Sequence, residues 1–196
     1  MQNTIHTSLG IELGSTRIKA VLTDEHYRCV AQGEYGWENR FQDGIWTYSL
    51  DDAWEGLRTA VARLFASVKE PVTVDVMGLS GMMHGYLVFD RDDHLLVPFR
   101  TWRNTVTGRA SLALTELFHE NIPQRWSIAH LYQAVLQEEA HVKDIHFLTS
   151  LAGHIHRRLT GRAVIGIGEA SGMFPIDYKA LDYRQSALEQ FDDLIA

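Results

Sequence analysis

The feature that most constrains this chain is the run Gly10-Ile11-Glu12-Leu13-Gly14-Ser15-Thr16-Arg17-Ile18-Lys19-Ala20-Val21-Leu22. It reads as two short apolar strands joined by a tight Gly-Ser-Thr turn. Strand alternation turns Glu12 to the face opposite Ile11 and Leu13. A turn of Gly14, Ser15 and Thr16 offers backbone N–H groups and hydroxyls to a phosphate, and a carboxylate beside it can hold a cation. A second segment, Gly78-Leu79-Ser80-Gly81-Met82-Met83-His84-Gly85, reads as a strand ending in a glycine-flanked turn that presents an imidazole. Such a group can donate to or accept from a sugar hydroxyl. Together the two turns suggest phosphoryl transfer, with a nucleotide held at one and an acceptor at the other.

Each of these residues also has a plainer reading. Glu12 fits a solvent-facing position on an edge strand, and Arg17 and Lys19 fit solvated flanks of the turn. His84 fits an incidental residue at a strand end. In Phe99-Arg100-Thr101-Trp102-Arg103-Asn104-Thr105 the Trp102 indole can stack on a sugar ring while Asn104 satisfies hydroxyls. Taken alone, that segment reads better as a core tryptophan beside a solvated arginine.

The rest of the chain predicts a mixed α/β sheet with flanking helices. Cys29 to Tyr35 extends the two strands into a meander. Trp54, Leu57, Val61, Leu64, Phe65 and Val68 make one helical stripe, with Ser49 or Asp51 as N-cap and Pro71 as stop. Val72 to Leu79 alternates toward a buried strand, and Tyr86 to Phe89 is another short one. Strands before and after a helix, with hairpins first, indicate this architecture. From about Thr107 the pattern turns helical. Leu114, Leu117 and Phe118 form one stripe, and Ile128, Leu131, Tyr132, Val135 and Leu136 a second. Phe147, Leu148, Leu151, Ile155 and Leu159 form a third, ended by Gly161. Ala163 to Ile167 is β-like, and Leu181 to Ala196 reads as a polar, marginal helix.

Composition excludes several classes. At 196 residues, 45% of them hydrophobic, the chain is the size of one domain, or of one and a small extension, with enough apolar side chains to fill a core. A net charge of −7 argues against a nucleic-acid partner. Cys29 is the only cysteine, which rules out an intrachain disulfide and favours a reducing compartment. No run approaches the ~18 apolar residues of a membrane span, and Met1 to Ser8 carries no apolar signal segment. The expectation is a cytoplasmic protein with no membrane partner. Gly166-Ile167-Gly168-Glu169-Ala170-Ser171-Gly172 approaches a dinucleotide fingerprint and fails it, because Ser171 replaces the third glycine and Pro175 blocks the helix. The many histidines form no ligand spacing for zinc, and no Gly-x-Ser-x-Gly elbow indicates a hydrolase.

At these residues the chain resembles the FGGY carbohydrate kinases, and among them the xylulokinase-like branch most. Gly10 to Thr16 is similar to the family's Gly-Ile-Asp-Leu-Gly-Thr-Ser phosphate turn. Ser80-Gly81-Met82-Met83-His84-Gly85 is similar to the Ser-Gly-Gln-Met-His-Gly of xylulokinases. Trp102-Arg103-Asn104 falls where the family has Trp-Asn-Asp or Trp-Gln-Asp. Glu169-Ala170-Ser171-Gly172 with Phe174-Pro175-Ile176-Asp177 is similar to its Asp-Ala-Ser-Gly stretch. The resemblance runs through essentially the whole chain in order.

The resemblance implies a ribonuclease H-like fold of the actin, Hsp70 and hexokinase type. It implies ATP- and Mg²⁺-dependent phosphorylation of a hydroxyl on a sugar substrate, a pentulose or a related ketose or polyol. Met83 and His84 would bind the sugar, with Trp102 and Asn104 near it. Gly14, Ser15 and Thr16 would meet the nucleotide, and Glu12 the metal and the transferring phosphate. Residues 1–196 would be the N-terminal, sugar-binding domain. The general base and the nucleotide-holding C-terminal domain belong, in the family, beyond the stretch where this chain stops, so the chain is expected to be inactive alone. A homodimer is one expected assembly. Glu12 stands for the family's Asp, and Met82 for its Gln, which leaves the sugar open. A non-catalytic sugar-binding or regulatory module of the same fold, and an actin-like ATPase without a sugar, are the competing readings.

Overall fold

The computed structural model describes residues 4–196. In chain order the elements are β1 (Ile5–Leu13), β2 (Arg17–Asp24), β3 (Cys29–Gly36), β4 (Arg40–Gln42), β5 (Ile45–Thr47), α1 (Leu50–Ser67), β6 (Val72–Gly81) and β7 (Leu87–Phe89). There follow α2 (Gly108–Phe118), α3 (Ser127–Leu136), a 3-10 turn at Ala140–Asp144, β8 (Phe147–Thr149), α4 (Leu151–Thr160), α5 (Ile167–Ala170), β9 (Ile176–Asp177), β10 (Asp182–Tyr183) and α6 (Gln185–Ile195). They form two compact units. The first comprises the residues up to Arg40 together with Tyr48–Met82, and the second Phe41–Thr47 with Met83–Ala196.

The first unit is a four-stranded sheet in the order β3-β2-β1-β6 with α1 against one face. β1, β2 and β3 are an antiparallel meander, and β6 joins β1 in parallel. Alternation sorts the side chains. Leu9, Ile11, Leu13, Ile18, Ala20 and Leu22 are buried together with Ala53, Leu57, Ala60 and Leu64 of α1. Glu12 and Lys19, directly paired across β1 and β2, stand exposed on the opposite face. The Ser49 hydroxyl caps α1 by accepting the Asp52 N–H at 3.2 Å, and Asp51 and Asp52 favour the positive end of the helix dipole.

β6 departs from expectation. It pairs only with β1 among the described residues and is largely exposed, with Val76 at 58% and Met77 at 43%. Its β-branched composition forms the strand, but no second element covers it among these residues.

The second unit is mainly helical. Ala110, Leu114 and Phe118 of α2, Ile128 and Tyr132 of α3, and Ala187 and Phe191 of α6 pack around Phe174. The antiparallel pair β7–β8 joins Leu87 to Thr149 and Phe89 to Phe147. Here the expected helix over Phe147 to Leu159 divides. Phe147–Thr149 is a strand, Ser150 caps α4 by accepting the Gly153 N–H at 3.1 Å, and Gly161 in the left-handed region ends it. Ala163 to Ile167 forms no strand; the short helix α5 begins at Ile167. The C-terminal helix is α6, and its apolar side is anchored by Ala187 and Phe191. No helix among the described residues is long and apolar enough to cross a membrane.

Candidate functional site

In the first unit, Glu12, Gly14, Ser15 and Thr16 come together at the β1–β2 turn. Gly14 closes it by donating its N–H to the Arg17 carbonyl at 3.0 Å. A Cβ on Gly14 would lie 3.0 Å from that carbonyl and 3.8 Å from the Glu12 carboxylate, so the residue sits tightly beside the acid. Ser15 and Thr16 are exposed. The three carbonyls of the turn are all engaged. That of Gly14 accepts from Trp37 Nε1 at 2.7 Å, that of Ser15 from the Tyr48 hydroxyl at 2.6 Å, and that of Thr16 from the Trp37 N–H at 3.3 Å.

The face bearing Glu12 carries a depression of about 410 Å³ lined by Gly10, Glu12, Lys19, Gly78 and Ser80. Glu12 neighbours both Lys19 on β2 and Ser80 on β6. A Cβ on Gly78 would meet nothing within 4 Å, and one on Gly10 only the Val21 carbonyl at 3.9 Å, so glycine keeps this floor open. One carboxylate over open space suits Mg²⁺, which takes one or two protein carboxylates and completes its shell with phosphate oxygens and water.

In the second unit, Met83 and His84 meet Gly172. His84 holds φ 71° and Gly85 φ 93°, both in the left-handed region. The Gly85 N–H donates to the Arg125 carbonyl at 3.0 Å, and its own carbonyl accepts from the Ser127 hydroxyl at 2.6 Å, so the turn is fixed at both ends by the entry to α3. His84 Nδ1 lies 3.0 Å from the Gly172 carbonyl. A carbonyl only accepts, so Nδ1 carries the hydrogen, and in the neutral ring Nε2 is left as an acceptor. Burial holds the His84 pKa below its ordinary value, a trend that the Gly172 bond opposes and the Arg125 charge reinforces. A Cβ on Gly172 would lie 2.6 Å from Nδ1 and 2.8 Å from the Met83 methyl, so only glycine permits this approach.

Trp102 stands in the turn after Thr101 with 42% of its surface exposed. Its neighbours are committed elsewhere. Asn104 is buried, accepts the Trp46 N–H at 2.8 Å and donates to the carbonyls of Trp46 at 2.8 Å and Thr101 at 3.0 Å. The Arg103 guanidinium lies 4.0 Å over the Trp46 ring. Glu169 is partly buried and burial raises its pKa, against a hydrogen bond from Ser150.

Sequence reasoning passed over Gly172 as a contact of His84 and did not single out Trp37 or Tyr48. All three act through backbone carbonyls, which carry no residue-type signal. The remaining clue was two large aromatics flanking a turn-rich stretch after β3.

An antiparallel meander with a parallel fourth strand and a helix on one face makes the first unit an α/β fold with a mixed sheet. Comparison with known families matches residues 7–193 to the FGGY family of carbohydrate kinases, N-terminal domain. The chain therefore belongs to the FGGY family. Among solved structures it is similar to a gluconate kinase from Lactobacillus acidophilus (TM-score 0.85, 18% identity, 96% of this chain and 40% of that one). It is similar to a ligand-bound xylulose kinase from the same organism (TM-score 0.84, 18% identity, 96% and 40%). It is also similar to a Plasmodium falciparum glycerol kinase with ADP (TM-score 0.78, 14% identity, 96% and 41%). At these identities the likeness is one of fold. The chain spans about two fifths of the length of each. Comparison with curated proteins gave no match.

Proposed function

We propose that residues 1–196 are the sugar-holding N-terminal domain of a kinase that transfers a phosphoryl group from MgATP to a sugar hydroxyl. The observation that carries this reading is the fixed His84 ring. Its Nδ1 is tied to Gly172, which leaves Nε2 to accept a hydroxyl hydrogen and orient one oxygen of the sugar. Met83, 36% exposed, adds an apolar contact, and the exposed Trp102 indole supplies a face for the ring. Asn104 supports this turn through Trp46. Ser80 to Gly85 favours the xylulokinase-like branch, hence a pentulose or related ketose or polyol.

On the first unit, Ser15 and Thr16 would donate to phosphate oxygens while Glu12 holds Mg²⁺ over the glycine floor. Bound there, the metal would neutralise phosphate charge. Phosphoryl transfer depends on positioning and electrostatics more than on covalent work by the protein. A C-terminal domain would supply the base and the rest of the nucleotide site, and without it the chain is expected to turn over no ATP.

Calorimetric titration with a panel of ketoses and polyols, each with and without MgATP, tests the reading. The expected result is saturable binding of one sugar, weakened at least tenfold in His84→Ala. A folded chain that binds no sugar of the panel would overturn it.

A further inference from the structure

The turn between β1 and β2 is held from behind in a way that decides which of its groups face outward. In a trans peptide the C=O and the following N–H point in opposite directions. The Gly14 carbonyl is drawn to Trp37 Nε1 and the Ser15 carbonyl to the Tyr48 hydroxyl. The N–H groups of Ser15 and Thr16 must then point away from that aromatic pair. Neither these amides nor the two hydroxyls have a hydrogen-bond partner among the described residues. Trp37 and Tyr48 are themselves anchored: they stack with ring centroids 4.3 Å apart and are 4% and 3% exposed. They come from different places in the chain, Trp37 directly after β3 and Tyr48 directly before the Ser49 cap of α1. The Trp37 N–H holds the third carbonyl, that of Thr16.

We propose that Trp37 and Tyr48 are positioning residues that hold the Gly14–Thr16 turn in a donor-outward state, preorganised for the oxygens of a polyphosphate. An exposed three-residue turn left free samples peptide flips, and each flip puts a carbonyl oxygen where an anion would be repelled. Two buried donors from a rigid stack remove that freedom before any ligand arrives, which is how preorganisation raises affinity. The anion part of this inference rests on the phosphate role proposed above for the turn. The lock itself does not.

The test uses the whole chain with Tyr48→Phe and Trp37→Phe, which keep ring packing and delete one donor each. Leu57→Val is a control that disturbs the core of the same unit without touching the turn. Amide ¹⁵N relaxation reads the turn directly, and titration with magnesium tripolyphosphate reads anion binding. The expected result is order parameters of about 0.85 for Ser15 and Thr16 in the unsubstituted chain, falling below about 0.6 in Tyr48→Phe. Tripolyphosphate should bind about tenfold more weakly in both donor deletions, the effect of one lost hydrogen bond, with neither readout moved by Leu57→Val. Unchanged order parameters in both donor deletions would overturn the lock. Tripolyphosphate binding equal in all variants would overturn its role in anion affinity. A turn that loosens in Tyr48→Phe while the unsubstituted chain binds no tripolyphosphate would uphold the lock and overturn the phosphate reading.

Discussion

At the residue scale, the second unit keeps two imidazoles uncharged by burying them. His130 is fully buried, stacks on Tyr86 with centroids 6.0 Å apart, and neither ring nitrogen has a partner among the described residues. Burial, aided by the Arg100 charge, lowers its pKa to about 3. His154 lies parallel to Phe89 at 5.0 Å, and burial with the charges of Arg158 and Arg157 lowers it to about 4. Both folded values lie below the unfolded value of about 6.5. The unfolded chain therefore binds more protons between these limits, and stability present above pH 6.5 is lost as the pH falls through that window. The expected slope is about 1.4 kcal/mol per pH unit for His130, and less for the partly exposed His154. Urea midpoints measured from pH 7 to pH 5 should fall, and should fall less steeply in His130→Leu. A flat profile would refute this. His130 also marks a limit of sequence reading, because it lies off the apolar stripe of Ile128, Leu131, Tyr132, Val135 and Leu136 and so reads as a surface histidine, yet it is buried in α3.

At the element scale, β3 and α1 touch backbone to backbone. A Cβ on Gly33 would lie 2.1 Å from the Ala60 carbonyl and 2.6 Å from the Leu64 nitrogen, whereas one on Gly36, three residues on, would meet nothing within 4 Å. Gly33→Ala should therefore cost about 3 kcal/mol by pushing helix from sheet, and Gly36→Ala little. Denaturant unfolding of the two variants checks the contrast; equal losses would show that the helix can retreat cheaply. The meander and the existence of α1 were legible because one period governs each, two for Ile18, Ala20 and Leu22 and 3.6 for Leu57 and Leu64. Of the rest of the expected stripe, however, Phe65 is exposed and Val68 lies at the helix C-cap, while the small Ala53, Gly56 and Ala60 face the sheet. The stretch from Phe147 to Leu159 misled because Phe147 and Leu148 extend the stripe of α4 backwards. The Ser150 cap interrupts it, and that signal was available in the sequence. Ala163 to Ile167 misled because a short apolar run says nothing about whether a pairing strand exists.

At the scale of the whole molecule, the Gly-Ser-Thr turn, the Met83-His84 turn and their order along the chain were readable as motifs. Which groups face outward at each turn was not. That depends on Trp37, Tyr48 and Gly172, contacts made across 23, 33 and 88 residues of sequence. The exposure of β6 was equally hidden, since its apolar alternation looks the same whether or not something covers it. An uncovered edge presents unpaired backbone groups to other chains. This chain should therefore self-associate as its concentration rises, and Val76→Lys should raise its soluble limit. Light scattering across a concentration series measures both, and identical behaviour of the two proteins would clear β6 of the charge.

β1 acquires its two neighbours on different clocks. Leu13 needs only the Gly14–Thr16 turn to find Ile18, but Ile5 finds Val72 only after β2, β3 and α1 have been passed. Closing the longer loop is slower, and rates fall as pairings become less local. The hairpin that carries Glu12 and the turn is thus expected to form before β6 pairs, with the glycine floor at Gly78 completed late.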